Sequence, residues 1–290
     1  MRYKNIIAFF LVVLPVSIGL RFMQLVFTVD ATTGFFKQEY KPIGYALIFI
    51  IFFACAITAL LSFTAFRKPE KPPKVNPFLG FASLLLGFAI GYEIITETFV
   101  AAVRVWQIVL LDVTGLLAAV FFIIYGLKML IDFPLTGITT IIIPIYWVVR
   151  LICIFTTISS LSLISDTVIT LACQCSALIF MACFAKIFNK INDDKLFRKV
   201  LASGLITAVL CLADSVPRLY LKLTNHEQYI HSTATSPLTM LATGIFAFTF
   251  ILAFFSNKNL KERKRGRRTR SVENGSFYIH PENPPKREFM

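Results

Sequence analysis

The chain has 290 residues, of which 57% are hydrophobic and 16% charged, with 29 Lys and Arg against 16 Asp and Glu for a formal charge of +13. Such a composition excludes an ordinary soluble domain and places the chain in the membrane class, so that length translates into a number of spans rather than core size. The positive charge does not point to nucleic acid, because eight of the basic residues lie between Lys258 and Arg270 and most others sit in short loops between apolar runs. No nucleic-acid partner is expected.

A helix of about 20 apolar residues crosses the hydrocarbon layer of a bilayer, and the sequence holds eight such runs. The fold class it predicts is an all-α polytopic membrane protein. The first span is Asn5 to Thr28; it looks like a signal peptide at its start, but no small-x-small site closes it and Arg21 lies within it, so it is read as retained. The remaining spans are Ile43 to Phe66, Pro77 to Thr98, Trp106 to Leu127, Ile138 to Ser159, Asp166 to Phe188, Lys199 to Leu219 and Ser236 to Phe255. A turn through Arg104 joins the third to the fourth, and FPLTG at Phe133 to Gly137 separates the fourth from the fifth. Lys and Arg number two, four, one, five and ten in the N-terminal segment and every second loop thereafter, against two, one, none and two in the others. By the positive-inside bias both termini are cytoplasmic.

Two stretches share a proline followed six residues later by an arginine inside an apolar run: LVVLPVSIGLRFMQL, with Pro15 and Arg21, and IIIPIYWVVRLICIF, with Pro144 and Arg150. A proline inside a helix removes one hydrogen bond and tends to kink it, so Pro15 and Pro144 are candidate kinks. The other spans match in order as well. ACAITALLSFTAFRK from Ala54 sets against ACQCSALIFMACFAK from Ala172; Ala82-Ser83 with Glu93 sets against Ala202-Ser203 with Asp214; TGLLAAVF from Thr114 sets against TGIFAFTF from Thr243. This order predicts two parallel four-helix repeats, 1–128 and 129–257, followed by a basic tail at 258–290. Transporter folds built from parallel repeats are known, which favours transport by analogy.

The tail, KNLKERKRGRRTR followed by a polar Pro-containing stretch, reads as disordered and cytoplasmic. Lys261, Arg263, Lys264, Arg265, Arg267 and Arg268 are candidate contacts for anionic lipid headgroups, at about 1 kcal/mol per basic residue. The bilayer itself is the other expected partner, in a cell membrane, read as a bacterial cytoplasmic one.

A charged side chain at the bilayer centre costs about 2.5–3.5 kcal/mol on insertion scales and normally turns toward protein or water. Counted along each span at 1.5 Å per residue, Arg21, Glu93 and Asp214 come roughly 22–24 Å from the cytoplasmic side and Arg150 roughly 18 Å. Asp112 and Gln174 fall at roughly 9 and 12 Å from the outside. Glu97 follows Glu93 by one helical turn, while Arg218, Asp30, Arg104 and Asp166 lie higher, near the surface. The candidate polar cavity is therefore Arg21, Glu93, Glu97, Asp112, Arg150, Gln174 and Asp214, in which Arg21 and Arg150 pair with the acids. The competing reading is a set of interhelical salt bridges that lock a bundle.

All six cysteines lie within spans, which reads as packing rather than disulfides, and no His/Cys spacing suits a metal. GxSxG, HExxH and Walker A signatures are absent. The expectation is a transporter or permease without a cofactor and not an enzyme, its substrate unspecified. The alternative is a non-transporting signalling or scaffold subunit that acts through partners and its basic tail.

Overall fold

The computed structural model describes residues 3–30, 32–64, 75–100, 106–131, 135, 137–158, 165–189, 195–226, 229–230 and 236–254. The chain folds as helices α1 (Tyr3–Met23), α2 (Lys41–Phe63), α3 (Pro77–Val100), α4 (Trp106–Ile131), α5 (Ile142–Ile158), α6 (Ser165–Phe188), α7 (Leu196–Leu223) and α8 (Pro237–Phe254). All eight are regions long and apolar enough to cross a membrane, once the turns that extend α1, α2 and α5 are included. The chain is a multi-pass membrane protein. The Arg104 turn and the basic tail lie outside the described residues, as does the Glu97 side chain.

The outer helices bury one stripe and turn apolar side chains outward, as a bilayer requires. On α1 the buried positions are Ile6, Phe10, Val13, Ser17 and Arg21, continuing through Gln24 and Thr28, a 4–3 spacing that keeps one face toward a neighbour. Leu11, Val12, Val16 and Phe27 on the other faces are exposed. The stripe changes character along its length, from apolar below Ser17 to polar above it. At Gln24 the helix widens into one π-helical turn, Gln24–Thr28, in which Thr28 Oγ1 donates to the Gln24 carbonyl at 2.7 Å.

Helix α7 is the central element. Of its apolar window 89% is buried, against 22% for α2. It packs against α1, α2 and α6, while α4 packs on α3 and α5, and α5 on α6. Helix α8 enters the same core through Phe246 and Phe250, whose rings lie edge-on to Phe122 of α4 and to Phe184 of α6 at 5.2 and 5.1 Å between centroids. Edge-to-face packing of this kind places the positive ring edge on a neighbour's negative face.

The α3/α4 pair is closely packed because both helices present glycine. A Cβ placed on Gly126 would meet the Gly80 carbonyl at 2.9 Å, and one on Gly87 would meet the Ala119 carbonyl at 2.9 Å. Small residues of this kind let membrane helices approach where the hydrophobic effect does not drive them together.

The helix ends differ from expectation by a few residues, and two of the differences have a local cause or consequence. Helix α5 starts later than Ile138, because Gly137–Ile141 forms a 3₁₀ turn and Pro144 falls in the first helical turn, where its missing N–H disturbs least. Helix α7 runs four residues past Leu219 to Leu223. It also contains Pro217 in its interior, which the repeat pattern did not single out.

Candidate functional site

The polar residues of the apolar layer gather into two clusters. The first joins α1 to α7. Arg21 donates from Nε and Nη2 to Oδ1 of Asp214 at 3.1 and 2.8 Å. The other carboxylate oxygen, Oδ2, accepts from Arg218 Nη1 at 3.0 Å, one turn along α7. One carboxylate thus bridges two guanidinium groups, and the three side chains are 0–1% exposed. Arg21 also donates from Nη1 to Oε1 of Gln24 at 2.7 Å, which fixes the Gln24 amide against the cluster. The amide nitrogen of Gln24 is buried and has no hydrogen-bond partner.

Buried polar residues recur with one spacing on both helices. On α1 they are Ser17, Arg21, Gln24 and Thr28; on α7, Thr207, Cys211, Asp214 and Arg218. Both follow the spacing i, i+4, i+7, i+11, so each set stands on one helix face, and the Arg21–Asp214 bond joins one to the other. Each set extends eleven residues along its helix, about 16 Å. The Cys211 thiol lies beside that of Cys173 on α6, and Thr207 Oγ1 is buried without a partner.

The second cluster joins α3, α5 and α8. Arg150 Nη2 donates to Oε1 of Glu93, and Arg150 Nη1 donates to the Tyr146 hydroxyl one turn earlier on α5. Glu93 Oε1 also accepts the backbone N–H of Ser236, the residue immediately before α8. A carboxylate at that position satisfies one of the free N–H groups of a helix start and complements the positive end of the helix dipole. One turn below, Thr239 Oγ1 of α8 donates to the Ala89 carbonyl of α3 at 3.2 Å. Glu93 Oε2 is buried without a partner.

Several of the expected residues are therefore brought together, and others stand elsewhere. Arg21 meets Asp214, and Arg150 meets Glu93. Asp112 is half-buried on α4, and Gln174 on α6 donates to the Met240 thioether in the first turn of α8 at 3.5 Å. Arg218, expected near the surface, is 1% exposed and engaged with Asp214; the reason is that α7 continues a turn beyond the expected end and keeps Arg218 inside the bundle. Sequence reasoning missed Ser17, Gln24, Thr28 and Thr207. Their signal was present in the shared spacing, which becomes visible only when neutral polar residues are counted with the charged ones.

Outside the spans, Asp30 closes a tight turn between Val29 and Phe36. Its carboxylate accepts the Thr32 N–H and the hydroxyls of Thr32 and Thr33, which together hold its pKa below the ordinary carboxylate value. Gly34 takes the positive φ of 73° that lets the chain return.

Comparison of the chain with family models, curated proteins and solved structures finds no match. The site's chemistry consequently stands on the geometry alone.

Proposed function

We propose that the protein is a membrane transporter whose permeation path follows the polar seam between α1 and α7, held shut in this conformation by the two ion-pair clusters. The observation that carries the reading is the crosswise pairing of buried charges: Arg21 of α1 with Asp214 of α7, and Arg150 of α5 with Glu93 of α3. Under the parallel repeat of 1–128 and 129–257, each arginine of one half meets the carboxylate of the other. Ion pairs of this kind are poor packing devices, since well-packed apolar side chains of similar volume do as well or better. They suit an interface with two arrangements, one in which the charges satisfy each other and one in which water or substrate takes the place of a partner.

The same reading places both termini in the cytoplasm of a cell membrane, with Lys261, Arg263, Lys264, Arg265, Arg267 and Arg268 of the tail against anionic lipid headgroups. Basic residues concentrated on one side support it.

The test is aqueous thiol labelling in intact membranes of a single cysteine at Thr207 or Ser17, in an otherwise cysteine-free chain. Labelling is expected to be slow with the clusters intact and at least tenfold faster when Asp214→Asn weakens the closed state. Protection of both positions in both backgrounds, with correct insertion, overturns the transporter reading. The non-transporting scaffold or signalling subunit then remains, and the near-zero exposure of the Arg21, Asp214 and Arg218 side chains favours it.

A further inference from the structure

We propose that the α1/α7 cluster is the substrate site and that its ligand is a small soluble oxyanion bearing a carboxylate or phosphate group. The inference deepens the transporter reading by naming the substrate class, and it rests on that reading for the way in and out.

The geometry is that of an anion cradle already holding a tethered anion. The Asp214 carboxylate lies between two guanidinium groups, taking Arg21 on Oδ1 and Arg218 on Oδ2. Guanidinium groups present planar, forked donors that match the two oxygens of a carboxylate or phosphate, which is why arginine rather than lysine serves such sites. A ligand of the same chemistry can exchange with one arm of Asp214 while the other arm keeps the second guanidinium in place.

The second observation is the Gln24 amide. Its oxygen is taken by Arg21 Nη1, so the amide is oriented with its NH₂ group beside the cluster, 0% exposed and with no hydrogen-bond partner. A buried unsatisfied donor is costly, and it is a donor, the polarity an anion requires. From this residue onward the helix widens into its π-helical turn, a local feature that recurs at functional sites. The α3/α5/α8 cluster lacks these features. There a single guanidinium faces Glu93, whose buried Oε2 has no partner, and the start of α8 is already occupied. It is a lock rather than a receptor.

The test uses the purified full-length protein in detergent. Thermal unfolding is followed in sodium phosphate, sulfate, succinate and glutamate against sodium chloride at equal ionic strength. At least one oxyanion is expected to raise the midpoint saturably, with an apparent affinity about tenfold or more weaker in Gln24→Leu and in Arg218→Lys but little changed in Gly19→Ala, where an added methyl meets nothing within 4 Å. Gln24→Glu, which keeps the shape but places a second tethered carboxylate on Arg21, is expected to abolish the shift even if Gln24→Leu fails to fold.

A shift of equal size and affinity in wild type and in every Gln24 and Arg218 variant is a bulk salt effect and overturns the proposal, as does the absence of any oxyanion-dependent shift. A shift that disappears on stripping co-purified phospholipid and returns with a phosphatidylglycerol micelle alone identifies a lipid phosphate and overturns the soluble-ligand assignment. Uptake into proteoliposomes separates the two levels. Saturable Gln24-dependent binding without uptake retires transport and leaves the anion site; uptake of a cation or neutral solute, indifferent to Gln24, retires the site and leaves transport.

Discussion

Replacing Asp214 by Leu should be among the most damaging single substitutions in the protein, and the damage should largely vanish when both arginines are replaced as well. Asp214 accepts three hydrogen bonds, at 3.1, 2.8 and 3.0 Å, from two guanidinium groups, and all three side chains are 0–1% exposed. Removing it strands two cations where water does not reach, and breaking a buried pair by deleting one partner costs about 3–5 kcal/mol. Summing charge-assisted hydrogen bonds at about 1.5–3 kcal/mol each gives a larger figure, but these three share one acceptor group and are not independent. The lower range is therefore the expectation. Replacing Arg21 and Arg218 by Met together with Asp214→Leu removes the stranded charges and leaves apolar side chains in an apolar interface, so the triple variant should lie within about 1 kcal/mol of wild type. The assay is equilibrium unfolding in mixed dodecylmaltoside–SDS micelles, followed by Trp147 fluorescence in a Trp106→Phe background, because Trp147 is buried on α5 and Trp106 is exposed. A loss below about 1 kcal/mol for Asp214→Leu, or a triple variant no more stable than the single one, would refute the reasoning, since both depend on a desolvated carboxylate neutralising the arginines.

Gly126→Ala should cost about 1–3 kcal/mol, because the added methyl meets the backbone carbonyl of Gly80, which cannot rotate away, while Gly19→Ala, with nothing within 4 Å, should be neutral or stabilising by up to about 1 kcal/mol; equal effects in the same unfolding assay would show that α3 and α4 do not approach this closely. At Glu93, Gln keeps an acceptor for the Ser236 N–H whereas Ala removes it, so Ala should be the worse of the two by about 1 kcal/mol, with faster amide exchange at Ser236 in Ala alone. Identical exchange in both variants would show that Glu93 does not hold the start of α8. For Asp30, a folded pKa below the unfolded one means that the turn's contribution is fully present above the unfolded value and is lost as pH falls through the lower folded value. A carboxyl-carbon NMR titration should therefore give a midpoint below the ordinary 3.8, and a midpoint at or above it would contradict the Thr32 and Thr33 hydrogen bonds.

The spans were readable from the chain because crossing a bilayer is a requirement on length and hydropathy, both of which are local quantities. The first span, expected from Asn5 to Thr28, coincides with the helical stretch formed by α1 and its π turn. Errors fall at ends where local geometry intervenes, as at the 3₁₀ turn ahead of Pro144 and the added turn of α7. The charged residues could likewise be named in advance, because an arginine or aspartate among apolar side chains is conspicuous by its cost.

Which charge meets which was decided by tertiary structure alone. Depth along a span places Arg21, Glu93, Arg150 and Asp214 in one layer, but depth says nothing of the rotation of each helix about its axis or of which helices are neighbours. The packing of α1 on α7 selects Asp214 for Arg21, and the start of α8 beside α3 gives Glu93 a second donor. Gln24 becomes notable only when Arg21 fixes its amide. By itself the sequence determined what had to be buried in the membrane, because that depends on the cost of transferring each side chain; the partners that offset the cost depend on distances of a few ångströms between helices far apart in the chain, and these exist only once the bundle has packed.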